Sequence, residues 1–141
     1  MASTYSSLLK IELIGSGEQA NSWGDTTNDN FSKSVEFSIA GVYSKNLSSA
    51  SSPYVLTTAN GPVSQADNEA RNAAIVFSGQ GSNFIVQFNT TQKIYFLRNA
   101  NTTYTITCRL GSSGNTHVIN PSTSVFLATD GTNCISCICI A

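Results

Sequence analysis

The four cysteines have the most versatile chemistry in this sequence, because thiolates bind metals and form disulfides. They are Cys108, Cys134, Cys137 and Cys139. The last three cysteines lie in the C-terminal tail, residues 134–141. If this tail curled back onto Cys108, four thiolates could hold zinc, but the sequence has no second C-x-x-C pair beside Cys134 and Cys137. Residues two apart on a strand lie about 6–7 Å apart, too far for a disulfide within the tail. We predict small buried structural side chains and no metal, and keep a disulfide formed after cell lysis, within or between subunits, as an alternative.

Two further patterns match ligand-binding templates in part. Positions 1, 3, 5 and 12 of a calcium loop would fall on Asp25, Thr27, Asp29 and Glu36, but position 6, which needs glycine, is Asn30. The string Gly15-Ser-Gly17-Glu-Gln-Ala20 loosely matches a dinucleotide fingerprint, but Trp23-Gly24 interrupts the helix that should follow. We interpret the first pattern as helix capping and the second as an ordinary glycine turn.

No catalytic constellation stands out in the sequence. The single histidine, His117, lies in the run Thr116-His117-Val118-Ile119, which has the pattern of a strand and contains no nucleophile motif. No carboxylate pair has the spacing expected for general acid–base catalysis. We predict that the chain is not an enzyme and uses no cofactor.

The composition favours assembly over nucleic-acid binding. Only 11% of the 141 residues are charged, against about 25% in typical globular proteins. Neutral hydroxyl and amide groups are desolvated at lower cost than charges, which suits a surface that assembles. The net charge is -1, and seven scattered Lys and Arg residues form no basic stripe. We therefore expect no nucleic-acid partner.

The N-terminal region has neither a cationic leader nor a membrane span. Its apolar run, residues 8–14, is interrupted by Lys10 and Glu12. We expect no signal peptide, no membrane insertion and synthesis in a cytosol.

The elements that position these residues begin with a predicted strand over residues 7–14, where Leu9, Ile11 and Leu13 share one face. A glycine-rich loop follows over residues 15–25. We predict that Trp23 anchors this loop by burying its indole and that Gly24 permits the turn after it.

A helix is predicted over residues 28–40, because Phe31, Val35 and Ile39 recur every four residues and Gly41 follows. Thr27 and Asn28 would supply oxygens to its first amides. A shorter helical turn is predicted over residues 64–72.

Beyond residue 73 the apolar period changes to two, which is typical of strands. Turn residues separate six predicted strands, over residues 74–77, 84–88, 93–98, 104–110, 116–119 and 124–129. This spacing predicts a mainly β fold, an antiparallel β-sandwich of jelly-roll type with one N-terminal α-helix. We predict a single domain over residues 1–141, with the strand, loop and helix in 7–42 and the sandwich in 53–141.

Several of these segments resemble one known module. A strand followed by Gly17-Glu18-Gln19, then Trp23-Gly24-x-x-Thr27-Asn28-x-Asn30-Phe31 and a helix ending in Ala40-Gly41, is similar to a module in tail-fibre and other virion proteins of marine and cyanobacterial phages. Residues 67–73, 95–100 and 129–133 also resemble that family, so the resemblance covers almost the whole chain. The chain departs from the family in having one unit only and a cysteine-rich tail.

The resemblance implies a bacteriophage virion structural protein. The expected role is a small surface subunit, either capsid decoration or a tail or fibre accessory protein, located in the virion after synthesis in the host cytoplasm. Such a subunit would assemble with itself, as a homotrimer, and dock on other phage capsid or tail proteins. The expected structural and assembly residues are Trp23, Gly24, Thr27, Asn28, Phe31, Cys134, Cys137 and Cys139.

An alternative function is a host-receptor or glycan-binding module of a tail fibre. In that case the aromatic rings of Trp23, Tyr43 and Tyr54 would stack on a host surface glycan.

Overall fold

The computed structural model describes residues 4–89 and 92–140, with side chains up to residue 135. Its N-terminal part is a small antiparallel sheet of β1 (Thr4–Tyr5) and β2 (Glu12–Leu13). The predicted single strand over residues 7–14 is therefore wrong in extent. Lys10 has a φ of 56°, a left-handed conformation that interrupts extended backbone.

A continuous helical stretch follows from Trp23 to Ala40. It consists of α1 (Trp23–Asp29), a π-helical segment (Asn30–Val35) and α2 (Glu36–Ala40). It begins earlier than the predicted residue 28 and ends at Gly41, as predicted. A Cβ at position 41 would lie 2.5 Å from the Phe37 carbonyl oxygen, so only glycine fits this exit.

The other described residues form two larger sheets and one 3₁₀ turn, Glu69–Arg71. This turn is the part of the helical turn predicted over residues 64–72 that the structure contains. The strands are β3 (Val42–Asn46), β4 (Tyr54–Val55), β5 (Ala74–Ser78), β6 (Phe84–Phe88), β7 (Gln92–Asn99), β8 (Ile106–Leu110), β9 (Thr116–Ile119), β10 (Ser124–Asp130) and β11 (Cys134–Ile140). The five-stranded sheet has the order β11-β10-β7-β5-β3, and the four-stranded sheet has the order β4-β6-β8-β9.

From β3 to β8 the chain alternates between the two sheets, so that every second strand pairs in parallel. The chain reverses its direction each time it passes from one sheet to the other. After two such reversals it runs in its original direction, so neighbouring strands within one sheet are parallel. The register repeats: Ala74 pairs with Phe96 and Phe84 pairs with Ile106, an offset of 22 residues in each sheet. These strands therefore form successive turns of a coil, closed by the antiparallel strands β9, β10 and β11.

The mainly β fold is confirmed, but the antiparallel prediction is wrong for this coil. Four of the eight pairings between described strands are parallel. A jelly roll is antiparallel throughout, so that name does not describe the topology. The five-stranded sheet also includes β3, which lies before the predicted sandwich boundary and which the sequence analysis does not predict.

One buried hydrophobic cluster takes side chains from both larger sheets. Inward-facing residues alternate along the strands, as in Ile75 and Phe77 of β5, Tyr95 and Leu97 of β7, and Ile106, Cys108 and Leu110 of β8. In the described part of the chain, no helix combines the length and the apolar character needed to cross a membrane.

Candidate assembly surface

The helical stretch turns two polar residues, Asn30 and Ser34, inward and three apolar residues, Trp23, Phe31 and Ile39, outward. Asn30 is buried, and its amide binds both backbone groups of Glu12: Oδ1 accepts from the amide nitrogen at 3.0 Å, and Nδ2 donates to the carbonyl oxygen at 2.9 Å. Ser34 is fully buried one turn later. Trp23, Phe31 and Ile39 are instead 62%, 63% and 75% exposed. A helix that packs only against the core of its own chain normally turns apolar residues inward and polar residues outward.

The outer face of the five-stranded sheet is apolar as well. Val42, Ala74, Phe96 and Phe126 are successive cross-strand partners on β3, β5, β7 and β10, and we call them the outer row. Because directly opposed residues share a face, the outer row crosses the sheet on the side away from the buried Ile75, Leu97 and Val125. A sheet with one face in water normally carries polar residues there.

The outer row meets the end of α2 at a shallow depression of about 400 Å³. Ile39 and Ile94 line the depression together with the outer row, and the rings of Phe96 and Phe126 pack edge to face with centroids 5.2 Å apart. Polar side chains flank it along the strands, with Arg98 and Asp130 at the ends of β7 and β10. An apolar centre with a polar rim is the usual anatomy of a protein–protein interface.

Comparison with known proteins finds no matching family model, no matching curated protein and no matching solved structure. The geometry and the sequence pattern therefore carry the functional inference.

The structure corrects the predicted roles of the Trp-Gly-x-x-Thr-Asn motif. Trp23 is not a buried anchor, since it begins the helix with its indole largely in solvent. Gly24, Thr27 and Asn28 lie inside α1, so they neither form a turn nor cap its first amides. Ser22 precedes the helix, and its side chain makes no capping hydrogen bond.

The cysteines divide into two groups. Cys108 and Cys134 are buried free thiols in the hydrophobic cluster. Burial raises the pKa of the Cys108 thiol well above its usual range, and burial with the nearby Asp130 charge raises the pKa of Cys134 to about 11. Both groups are therefore neutral and unreactive at neutral pH.

Cys137 and Cys139 lie on β11, where Cys139 is opposite Val125 and Cys137 falls at a register shift. Their side chains lie outside the described residues, so the four-cysteine zinc alternative stays a prediction. Among the side chains that are described, no group of three or more His, Cys, Asp or Glu residues could hold a metal ion.

A buried polar cluster brings together the two tyrosines of the glycan alternative. The Glu69 carboxylate accepts hydrogen bonds from Lys45 Nζ at 2.9 Å, from the Tyr54 hydroxyl at 2.9 and 3.1 Å, and from the Thr57 amide at 3.1 Å. Burial works to lower the pKa of Lys45, but its hydrogen bonds to Tyr54 and Glu69 outweigh that effect and raise it. Desolvation, with the Glu69 charge, raises the pKa of Tyr43 and of Tyr54. The Tyr54 hydroxyl is therefore occupied in holding the 56–72 loop to β4, and Lys45 holds the same loop to β3.

Val42, Ile94 and Phe126 are exposed surface residues that were not predicted from the sequence. A signal for two of them is present, because Ile94-Tyr95-Phe96-Leu97 and Val125-Phe126-Leu127-Ala128 are continuous apolar runs. Such runs are typical of strands that are covered on both faces.

Proposed function

We propose that this chain is a bacteriophage virion structural protein, a small surface subunit that decorates the capsid or forms an accessory part of the tail or fibre. It acts by self-assembly, as a homotrimer, and by docking on other particle proteins. The outer row is the observation that carries the proposal, because its exposed apolar residues, Val42 and Phe126, are stabilised when a second copy buries them. The resemblance of the motif around Trp23 to phage virion modules supports the same reading.

We also infer that the two larger sheets pack face to face as a sandwich. The support is the single hydrophobic cluster, which draws inward-facing residues from both sheets. In this arrangement the core uses one face of the five-stranded sheet and leaves the outer row for assembly.

Imaging of phage particles tests the virion assignment. Deleting the coding sequence from the phage that carries it should remove density from the head, for a decoration protein, or from the tail, for a fibre accessory protein. Complementation with Val118→Glu should restore that density, whereas complementation with Ile94→Glu should not. Particles that are unchanged by the deletion would contradict the proposal.

Recognition of a host glycan is a second candidate, favoured by the exposed indole of Trp23. An exposed aromatic face can stack on a sugar ring. A glycan array probed with the wild-type chain and with Trp23→Ala separates the two functions. Saturable binding that is lost in the variant supports recognition, and the absence of binding by the wild type contradicts it.

A further inference from the structure

A cavity of about 290 Å³ lies between the N-terminal segment, the 56–72 loop and the start of β7. Three cationic residues line it: Lys10, Arg71 and Lys93. The whole chain has only seven Lys and Arg residues, so this concentration is unexpected. The described residues that line the cavity include no Asp or Glu.

Neither Arg71 nor Lys93 forms an ion pair with a described carboxylate. The Arg71 guanidinium is buried and donates to the carbonyl oxygens of Lys33, Ala59 and Gly61, while its Nε has no hydrogen-bond partner among the described residues. Lys93 Nζ donates to the Asn72 carbonyl oxygen and lies 4.3 Å from the centre of the Tyr95 ring. Burial lowers the pKa of Arg71 and lowers that of Lys93 to about 7.

Buried cations without counterions are costly, and a bound anion would relieve that cost. The other lining residues match a hydroxylated ligand. Ser7, Thr58, Asn68 and Asn89 bring hydroxyl and amide groups to the lining, while Leu8, Leu9 and Ala70 bring apolar surface for a C–H face. Two of these amides have partners already: Asn89 Nδ2 donates to the Thr58 hydroxyl, and Asn68 Nδ2 donates to the Ala59 carbonyl oxygen. The volume is at the lower end of the range of about 300–1,000 Å³ for small-molecule sites, which fits a monosaccharide.

We propose that this cavity binds a carboxylated monosaccharide, with its carboxylate held by Lys10 and Lys93 and attracted by the charge of the buried Arg71. The cavity shares no lining residue with the depression at the outer row. Trp23 does not line the cavity either. The site is therefore distinct from the assembly surface and from the indole that would stack on a glycan in the second candidate function.

Titration of the full-length protein with glucuronate, followed by NMR shifts or calorimetry, tests the proposal. Saturable binding is expected for glucuronate, and binding of the neutral sugar glucose should be at least about tenfold weaker, since a hydrogen-bonded charge contributes 1.5–3 kcal/mol. Equal binding of the two sugars, or no binding of glucuronate, would overturn the proposal. Inorganic phosphate that binds as tightly as glucuronate would also overturn it, because the site would then recognise a bare anion.

Two variants locate the site. Lys93→Met and Lys10→Gln should each weaken glucuronate binding at least several-fold, whereas Arg98→Gln, which removes a cation from the outer face of β7, should leave it unchanged. Lys10 lies in the N-terminal turn and outside the hydrophobic cluster, so Lys10→Gln remains informative if Lys93→Met unfolds the chain. Unchanged binding in Lys10→Gln, or loss of binding in Arg98→Gln, would each contradict the assignment.

Discussion

Replacing Glu69 by Gln should destabilise the fold strongly, because Glu69 is the centre of the buried polar cluster with Lys45 and Tyr54. Its side chain is only 2% exposed, while that of Lys45 is 21% exposed. Breaking a buried ion pair from one side costs about 3–5 kcal/mol. Since part of the Lys45 side chain still contacts water and glutamine can keep one acceptor, the expected loss is about 3 kcal/mol.

The chain contains a matched control for this prediction. Lys33 and Asp29 form an ion pair with the same 2.9 Å separation, but their side chains are 42% and 46% exposed. Asp29→Asn should therefore cost no more than about 0.5 kcal/mol, as exposed helix pairs do. The separation is the same in the two pairs, so the expected difference comes from burial and from the further hydrogen bonds that Glu69 accepts from Tyr54 and Thr57.

Urea unfolding at one fixed protein concentration, followed by circular dichroism, measures both variants. The double variant Lys45→Met/Glu69→Gln should lose less stability than the sum of the single variants, because the second change removes the charge left unpaired by the first. Equal effects of Glu69→Gln and Asp29→Asn, or strict additivity in the double variant, would refute the reasoning.

Three further predictions concern the core and its titrating groups. In a variant with Cys137 and Cys139 replaced by serine, Cys108 and Cys134 should not react with a thiol reagent at pH 8 until the chain is unfolded; rapid labelling of the native chain would contradict their burial. Lys93 has a folded pKa of about 7 against its usual 10.5, so the unfolded chain binds an extra proton between these values and stability should rise with pH. Between pH 7 and pH 9 the wild type should gain up to about 2 kcal/mol relative to Lys93→Met in urea unfolding, and equal pH profiles would refute this. Asn99→Ala should lower the free energy of unfolding by about 3 kcal/mol or more, because the buried Asn99 amide makes four hydrogen bonds. It donates to the Tyr104 and Ile119 carbonyl oxygens and accepts from the Gln80 side chain and the Asn101 amide. A loss under about 1 kcal/mol in thermal unfolding would contradict this prediction.

Most strands were predictable because inward-facing residues on each alternate with period two. The predicted segments 84–88 and 116–119 coincide with β6 and β9. Those near β5 and β10 end one residue early, and 93–98 is one residue short at each end of β7. Periodicity identifies the faces of a strand but not its partners. The parallel coil therefore could not be predicted, since it depends on short connections that cross between sheets.

The helix shows where local rules fail. Phe31, Val35 and Ile39 have the spacing of a helical apolar stripe, which normally marks the side that faces the core. In the structure, Asn30 faces inward instead, because its amide satisfies both backbone groups of Glu12. That contact joins residues 18 positions apart and leaves no trace in local periodicity.

The molar mass of the purified chain in solution, measured by light scattering on wild type, Ile94→Glu and Val118→Glu, tests most directly whether the outer face is an interface between copies. Ile94 and Val118 are exposed apolar residues on strands of the two different larger sheets, so neither substitution should prevent a single chain from folding. If the outer face joins three copies, wild type and Val118→Glu should each have three times the 14.9 kDa chain mass, and Ile94→Glu should have a single chain mass. A wild type that stays monomeric at high concentration, or an Ile94→Glu variant with the same mass as an oligomeric wild type, would contradict it.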